Sequence, residues 1–257
     1  MTLTSKNSMI ILTIDTDWAP QAATAEVLKK VQKLGVKATV FFSEPSPIPY
    51  WPLLEVGAHP DLSRRQTPPD PGGPMSMATM EHDAAVLRAE GEILAEFQKN
   101  IPQAQAARTH RFYWHSDLAR VMAKNGFIHD SSMILPYMPH IKGFQVGKLF
   151  RWPVWASDHL HLMRHFPLDR LDMPYLAEPG LKIFCFHVTY LYLNARSLDD
   201  FNMIRARLGS GATLEPRPGP GIWTLFELLA EKIAQTSQGH WLRDIPDSLV
   251  LKNLTLS

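Results

Sequence analysis

The stretch MIILTIDTD (9–17) decides the fold. Its apolar part, MIILTI, has the unbroken character of a strand covered on both faces, and it stops at Asp15. Residues 22–34 follow with Val27, Leu28, Val31 and Leu34 at helical spacing, and Gly35 stands where a helix takes its C-terminal cap. VKATVFF (36–42) reads as a second strand, and LLEVGAH (53–59) ends a third. Strand, helix and strand in that order predict an α/β domain built on a mostly parallel sheet.

The rest of the chain continues the alternation. Residues 60–78 hold Pro60, Pro68, Pro69, Pro71, Gly72, Gly73 and Pro74, too many breakers for regular structure, and read as a long loop. Helical spacing returns with Val86, Ala89, Ile93 and Phe97, then with Leu118, Val121 and Met122 before Asn125-Gly126. Strands are expected near 105–108, 127–129, 148–153 and 181–187. A last helix buries Ile222, Leu225, Phe226, Leu229 and Ile233, and DSLVLKN (247–253) is expected to close the sheet. No repeat or composition shift divides the chain, so residues 1–257 are read as one domain.

Composition narrows the function. The 257 residues are 45% apolar and 20% charged, with a single cysteine, which excludes a disordered, collagen-like or disulfide-scaffold protein. A formal net charge of +1 supplies no field for nucleic acid or an anionic membrane, so the expected partner is a small molecule. The longest apolar stretch, 181–193, is interrupted by Lys182 and His187 and is shorter than the roughly 18 to 20 residues of a membrane span. The opening residues lack the order of a signal peptide. With Cys185 reading as a buried thiol, a cytoplasmic location is expected.

In such folds ligands gather at the C-terminal ends of the strands. There the chain puts Asp15-Thr16-Asp17, His59-Pro60-Asp61, Arg108-Thr109-His110, Trp155 with Asp158, and His187. Carboxylates and imidazoles together are the ligand set of zinc or a similar divalent ion. Each residue alone has an ordinary reading, Asp-x-Asp as a helix cap and turn, a histidine as a packed or solvated side chain. Five strand ends each supplying the right residue type is the stronger observation.

These segments resemble the NodB-homology polysaccharide deacetylases, the family 4 carbohydrate esterases, and most nearly their WbmS-like branch. The resemblance runs through ILTIDTDW (11–18), LGVKATVFF (34–42), EVGAHPDL (55–62), ARTH (107–110), GFIHDSS (126–132), FRWPVWASD (150–158) and FHVTYLYLN (186–194). It implies a distorted (β/α) barrel of about seven strands and a divalent metal, usually zinc, used to remove acetyl groups from amino sugars. By the same resemblance Asp15 is the general base, Arg108 its orienting cation, His187 the general acid and Asp158 the carboxylate behind it. Asp17 and His59 resemble metal ligands. The family's second histidine falls at Ser63, and His110 is the candidate to complete the site. A backbone N–H near 109–111 is expected to face the oxyanion, and Trp155 and Tyr190 are placed either as walls for the acetyl or sugar ring or in the core.

Other readings stay open. Haloacid-dehalogenase-type phosphatases also put Asp-x-Asp after an apolar first strand, with Asp199-Asp200 as a possible acidic pair here, but that leaves His59, His110 and His187 unused. Asp-x-Asp also occurs in nucleotide-sugar glycosyltransferases, without support from the surrounding sequence. A barrel that binds a sugar or scaffolds a partner without turnover is the non-catalytic alternative, and barrels of this kind also open cyclic amides.

Overall fold

The structure, a computed structural model, describes residues 8–17, 19–46, 48–63, 77–205 and 215–251. Strand β1 (Ser8–Asp15) is buried from Ile11 to Asp15 and pairs in parallel on both sides, as its unbroken apolar run requires. After helix α1 (Gln21–Lys33) the chain turns at Gly35, whose φ of +71° is the left-handed cap that a glycine supplies without strain. Strands β2 (Ala38–Phe42) and β3 (Leu54–Ala58) extend the sheet in parallel. Of the Pro- and Gly-rich stretch 60–78, residues 64–76 lie outside the described residues, and Met77 already begins helix α2 (Met77–Asn100).

Strand β4 (Ala106–Ala107), helix α3 (Leu118–Lys124) and the two-residue β5 (His129–Asp130) come next. They lead to the hairpin of β6 (Phe144–Val146) and β7 (Leu149–Arg151), then to β8 (Val154–Ser157) and helix α4 (Asp158–Met163). The remaining elements are β9 (Gly180–His187), α5 (Val188–Leu193), α6 (Leu198–Arg205) and α7 (Ile222–Ala234). Sheet order is β6-β7-β5-β4-β3-β2-β1-β9-β8, and only β6 and β7 are antiparallel.

The strand expected at 148–153 is β7, which ends at Arg151, and a second strand, β8, follows it at Val154. Pro153 has no N–H to give a ladder, so pairing breaks between Arg151 and Val154. The break lets the chain pass from one end of the curled sheet to the other. Below it β7 pairs with β5, and above it Val154 pairs with Ile183 of β9 while also bridging Ile134. Taking β7 and β8 as one bent stave leaves the distorted barrel with seven parallel staves. The closing strand expected at 247–253 does not form among the described residues. Asp247–Leu249 make a 3-10 turn, and Val250 makes one bridge, to Gly143, because the neighbouring edge strand β6 is only three residues long.

Two apolar clusters clamp the barrel. The larger joins β1, β2, β8 and β9 to α1, α5 and α7, where Phe226 meets Phe186 edge to face at 5.0 Å. The smaller lies between β3, β4 and the helices α2 and α3. Burial of this kind stabilises by about 25 cal/mol for each Å² of apolar surface removed from water, and it holds the strand ends rigid.

Candidate active site

Register puts Asp15 of β1 beside His187 of β9, and Arg108 follows β4 with its side chain wholly buried inside the barrel. Its Nη1 donates to Asp15 Oδ1 and to Thr13 Oγ1, both at 2.8 Å. Its Nη2 donates to Ser131 Oγ at 2.9 Å and its Nε to the Ser131 carbonyl at 3.2 Å, while Phe41 lies against the guanidinium, 4.4 Å from ring centre to Cζ. Gly57 makes room for that ring: a Cβ there would stand 2.6 Å from Phe41. Asp15 Oδ2 receives the Cys185 thiol, at 3.3 Å, and lies 3.9 Å from His59 Nε2. Burial, reinforced by Asp15, pushes the Cys185 pKa up and keeps it a thiol, the inert residue that its apolar surroundings foretold.

Asp17 has the opposite surroundings. It is buried, and neither carboxylate oxygen has an aligned hydrogen-bond donor among the described residues. Two imidazoles face it, with His59 Nε2 at 3.3 Å from Oδ1 and His110 Nδ1 at 3.6 Å from Oδ2. His59 Nδ1 is 2.6 Å from the Arg108 carbonyl, which can only accept, so the proton sits on Nδ1 and the Nε2 lone pair of the neutral ring points at carboxylates. Acceptors facing acceptors need a cation between them, either a proton or a metal. Burial opposes charge on His59, yet Asp15 and Asp17 raise its pKa; burial likewise opposes charge on Asp17, yet His187 and His59 hold it well below the usual carboxylate range. Burial lowers His110, which favours the neutral, ligating ring.

The donor set fits a divalent ion. Ligand atoms of Asp17, His59 and His110 lie within 4.8 Å of one another, and the Nδ1–H of His59 on a backbone carbonyl is the outer bond that orients a metal-bound imidazole. Asp15, Cys185 and His187 come equally close together, but Arg108 already occupies Asp15 and the thiol stays protonated.

Opposite, Asp158 opens α4 and accepts twice from His187: the backbone N–H at 2.6 Å to Oδ2 and Nδ1–H at 2.8 Å to Oδ1. Burial would lower the His187 pKa, but Asp158, then Asp17 and Asp15, raise it to about 10. With Nδ1 committed, Nε2–H is left as the acid hydrogen, on a ring whose side chain is 19% exposed. Asp15, Asp17, His59, Arg108, His110, Asp158 and His187, the seven catalytic and metal candidates, thus meet on one rim.

Several expectations left open in the sequence take definite form. Trp155 and Tyr190 are core residues, Trp155 between Tyr137 and Phe184, and Tyr190 stacked on Phe201 at 4.6 Å with its hydroxyl on His159. Ser63 closes a turn onto Asp61. The N–H groups of Thr109 and His110 go to Ser132 Oγ and the Pro60 carbonyl, and the Arg111 N–H is the one of the three without a partner among the described residues. Asp200, considered for a phosphatase, is bound to the Arg196 N–H and to Arg217. Thr13 and Ser131 carry the Arg108 network, Ser132 holds the Thr109 N–H, and all three escaped sequence reading, although DSS (130–132) lies inside a segment of the family resemblance. Beside Thr16, a cleft of about 500 Å³ is lined by Gln21, Thr24, Phe42, Glu44 and Trp51 among others, and no Lys or Arg occurs in its described lining.

Comparison with known proteins gives the family. A proposed polysaccharide deacetylase involved in O-antigen biosynthesis, WbmS from Bordetella bronchiseptica, shares the fold: TM-score 0.71 and 20% identity over 87% of this chain and 90% of that one. A second proposed polysaccharide deacetylase, from Mycobacterium smegmatis, aligns over 96% and 97% of the two chains at TM-score 0.47 and 14% identity. A family 4 carbohydrate esterase from Streptomyces lividans, in complex with acetate, covers 84% of this chain and 97% of its own at TM-score 0.39 and 14% identity. No curated protein matches. The model of the WbmS-like polysaccharide deacetylases matches residues 12–205, and the chain belongs to that family.

Proposed function

We propose that this protein is a metal-dependent hydrolase that removes an N-acetyl or other acyl group from an amino sugar in the making of a surface polysaccharide. The observation that carries the reading is Asp17, a buried carboxylate without an aligned donor among the described residues, facing two imidazoles of which one has its Nδ1–H already committed. Asp17, His59 and His110 would hold the ion, with zinc as the expected metal. When bound, it supplies Lewis acidity that polarises the acyl carbonyl and lowers the pKa of water.

The chain's own groups account for the proton movements. Arg108 fixes Asp15 Oδ1, so Oδ2 faces the reacting water and takes its proton as the water oxygen adds to the acyl carbon. Arg111 N–H is the backbone donor left for the oxyanion. Collapse breaks the carbon–nitrogen bond, and His187 Nε2–H, aimed by Asp158, protonates the leaving amine. The products are the carboxylic acid, acetate for an N-acetyl group, and a free amine. The cleft beside Thr16, with Trp51 and Phe42 among hydroxyl and amide groups and one carboxylate, favours an uncharged sugar over a phosphate-bearing group. We place the reaction in the cytoplasm.

The test is acetate release from a panel of N-acetylated amino sugars with and without zinc, alongside an aryl phosphate. Turnover that a chelator abolishes and zinc restores is expected. Phosphate release, or acetate release indifferent to chelator, would overturn the reading.

A further inference from the structure

Glu90 sits on α2, outside the strand ends, and its side chain is only 3% exposed. Its side-chain partners among the described residues are Tyr113, whose hydroxyl donates to Oε1 at 3.1 Å, and His115, whose Nε2–H lies 2.9 Å from Oε2 and 3.1 Å from Oε1. Burying a carboxylate is costly, and this one spends its bonds on the segment just after His110. That segment is strained: Arg111 and Phe112 have φ of 58° and 55°, consecutive left-handed positions that side-chain-bearing residues seldom adopt. Such strain persists only where the flanks over-determine it. The leading flank is tied by the Thr109 N–H to Ser132 Oγ at 2.8 Å and the His110 N–H to the Pro60 carbonyl at 3.0 Å. The trailing flank is tied by Glu90, and by Trp114, whose ring lies 3.4 Å from the Arg151 guanidinium.

We propose that Glu90 is a positioning residue: through Tyr113 and His115 it holds the 109–115 turn in the strained form that aims His110 at Asp17. The proposal rests on His110 being a metal ligand, but the turn itself is testable without metal. Glu90→Gln and Glu90→Ala, made in the full chain, would be followed by amide hydrogen exchange over 109–115 and by zinc affinity in chelator competition. Exchange in that segment should rise about tenfold above the rest of the chain. The zinc Kd should rise about tenfold, with kcat recovering at saturating zinc, a split that general destabilisation does not produce. His115→Ala, at a partly exposed residue, should give a smaller change in the same direction if the Glu90 variants fold poorly. Faster exchange with unchanged zinc affinity, or no change in either, would overturn the proposal. A wild type that takes up no zinc would defeat the reading of the metal site instead, and the latch would then stand or fall on the exchange alone.

Discussion

Asp15 and Asp17 stand two residues apart at the end of β1, in opposite surroundings. Arg108 grips one oxygen of Asp15 and a thiol touches the other, whereas both oxygens of Asp17 are buried without an aligned donor among the described residues. A carboxylate with a fixed guanidinium partner is oriented to accept a proton at its remaining oxygen, and one that is buried and unsatisfied invites a cation. Two residues of one sequence motif are thus prepared for separate tasks by neighbours that come from elsewhere in the chain.

The largest effect should come from breaking the Asp15 side. Asp15→Asn is expected to lower turnover about 10³- to 10⁴-fold while the protein still binds metal, read by acetate release beside metal content. A fall in metal of the same size would merge the two roles and end the contrast. On the far side of the rim, Asp158→Asn should cost roughly 10²-fold in turnover, because His187 loses both its orientation and its main reason to hold a proton.

The same pair makes a pH prediction. The His187 pKa rises from 6.5 to about 10 on folding, so its contribution to stability is full below about pH 6.5 and is lost as pH rises through 10. Unfolding measured at pH 7 and pH 10 should show wild type losing more stability than Asp158→Asn over that interval. Equal losses would mean that Asp158 does not hold the imidazolium.

The smallest effect tests the support beneath Arg108. Gly57→Ala places a Cβ 2.6 Å from the Phe41 ring and 3.1 Å from the Ala106 carbonyl, and overpacking of that kind costs about 1–3 kcal/mol in thermal unfolding. Since the ring packs against Arg108, turnover should fall and metal affinity hold. The reverse pattern would tie Phe41 to Asp17 instead.

Much of this was legible in the sequence where one local rule sufficed. β1, α1, β2 and β3 follow from apolar runs and the Gly35 cap, and the strand-end rule picked the residues that meet on the rim. Reading failed where the deciding partner is distant or the local signal misleads. The strand expected at 181–187 stands as β9, but helix α5 behind it had no reading: there the His187 N–H is captured by Asp158, 29 residues earlier, and Asn194 ends the helix in the left-handed conformation. Thr13 and Ser131 touch Arg108 across sequence gaps of 95 and 23 residues, which no periodicity records. Pro153 was visible, but its consequence, a stave that pairs with β5 below and β9 above, depends on barrel closure.

The most direct measurement is the metal content, after dialysis without chelator, of wild type, Asp15→Asn, Asp17→Asn and His110→Ala. About one divalent ion per chain in wild type and Asp15→Asn, with loss in Asp17→Asn and His110→Ala, is the predicted result. A wild type that stays metal-free when zinc is supplied, or an Asp17→Asn protein that keeps its ion, would contradict the division of labour between the two carboxylates.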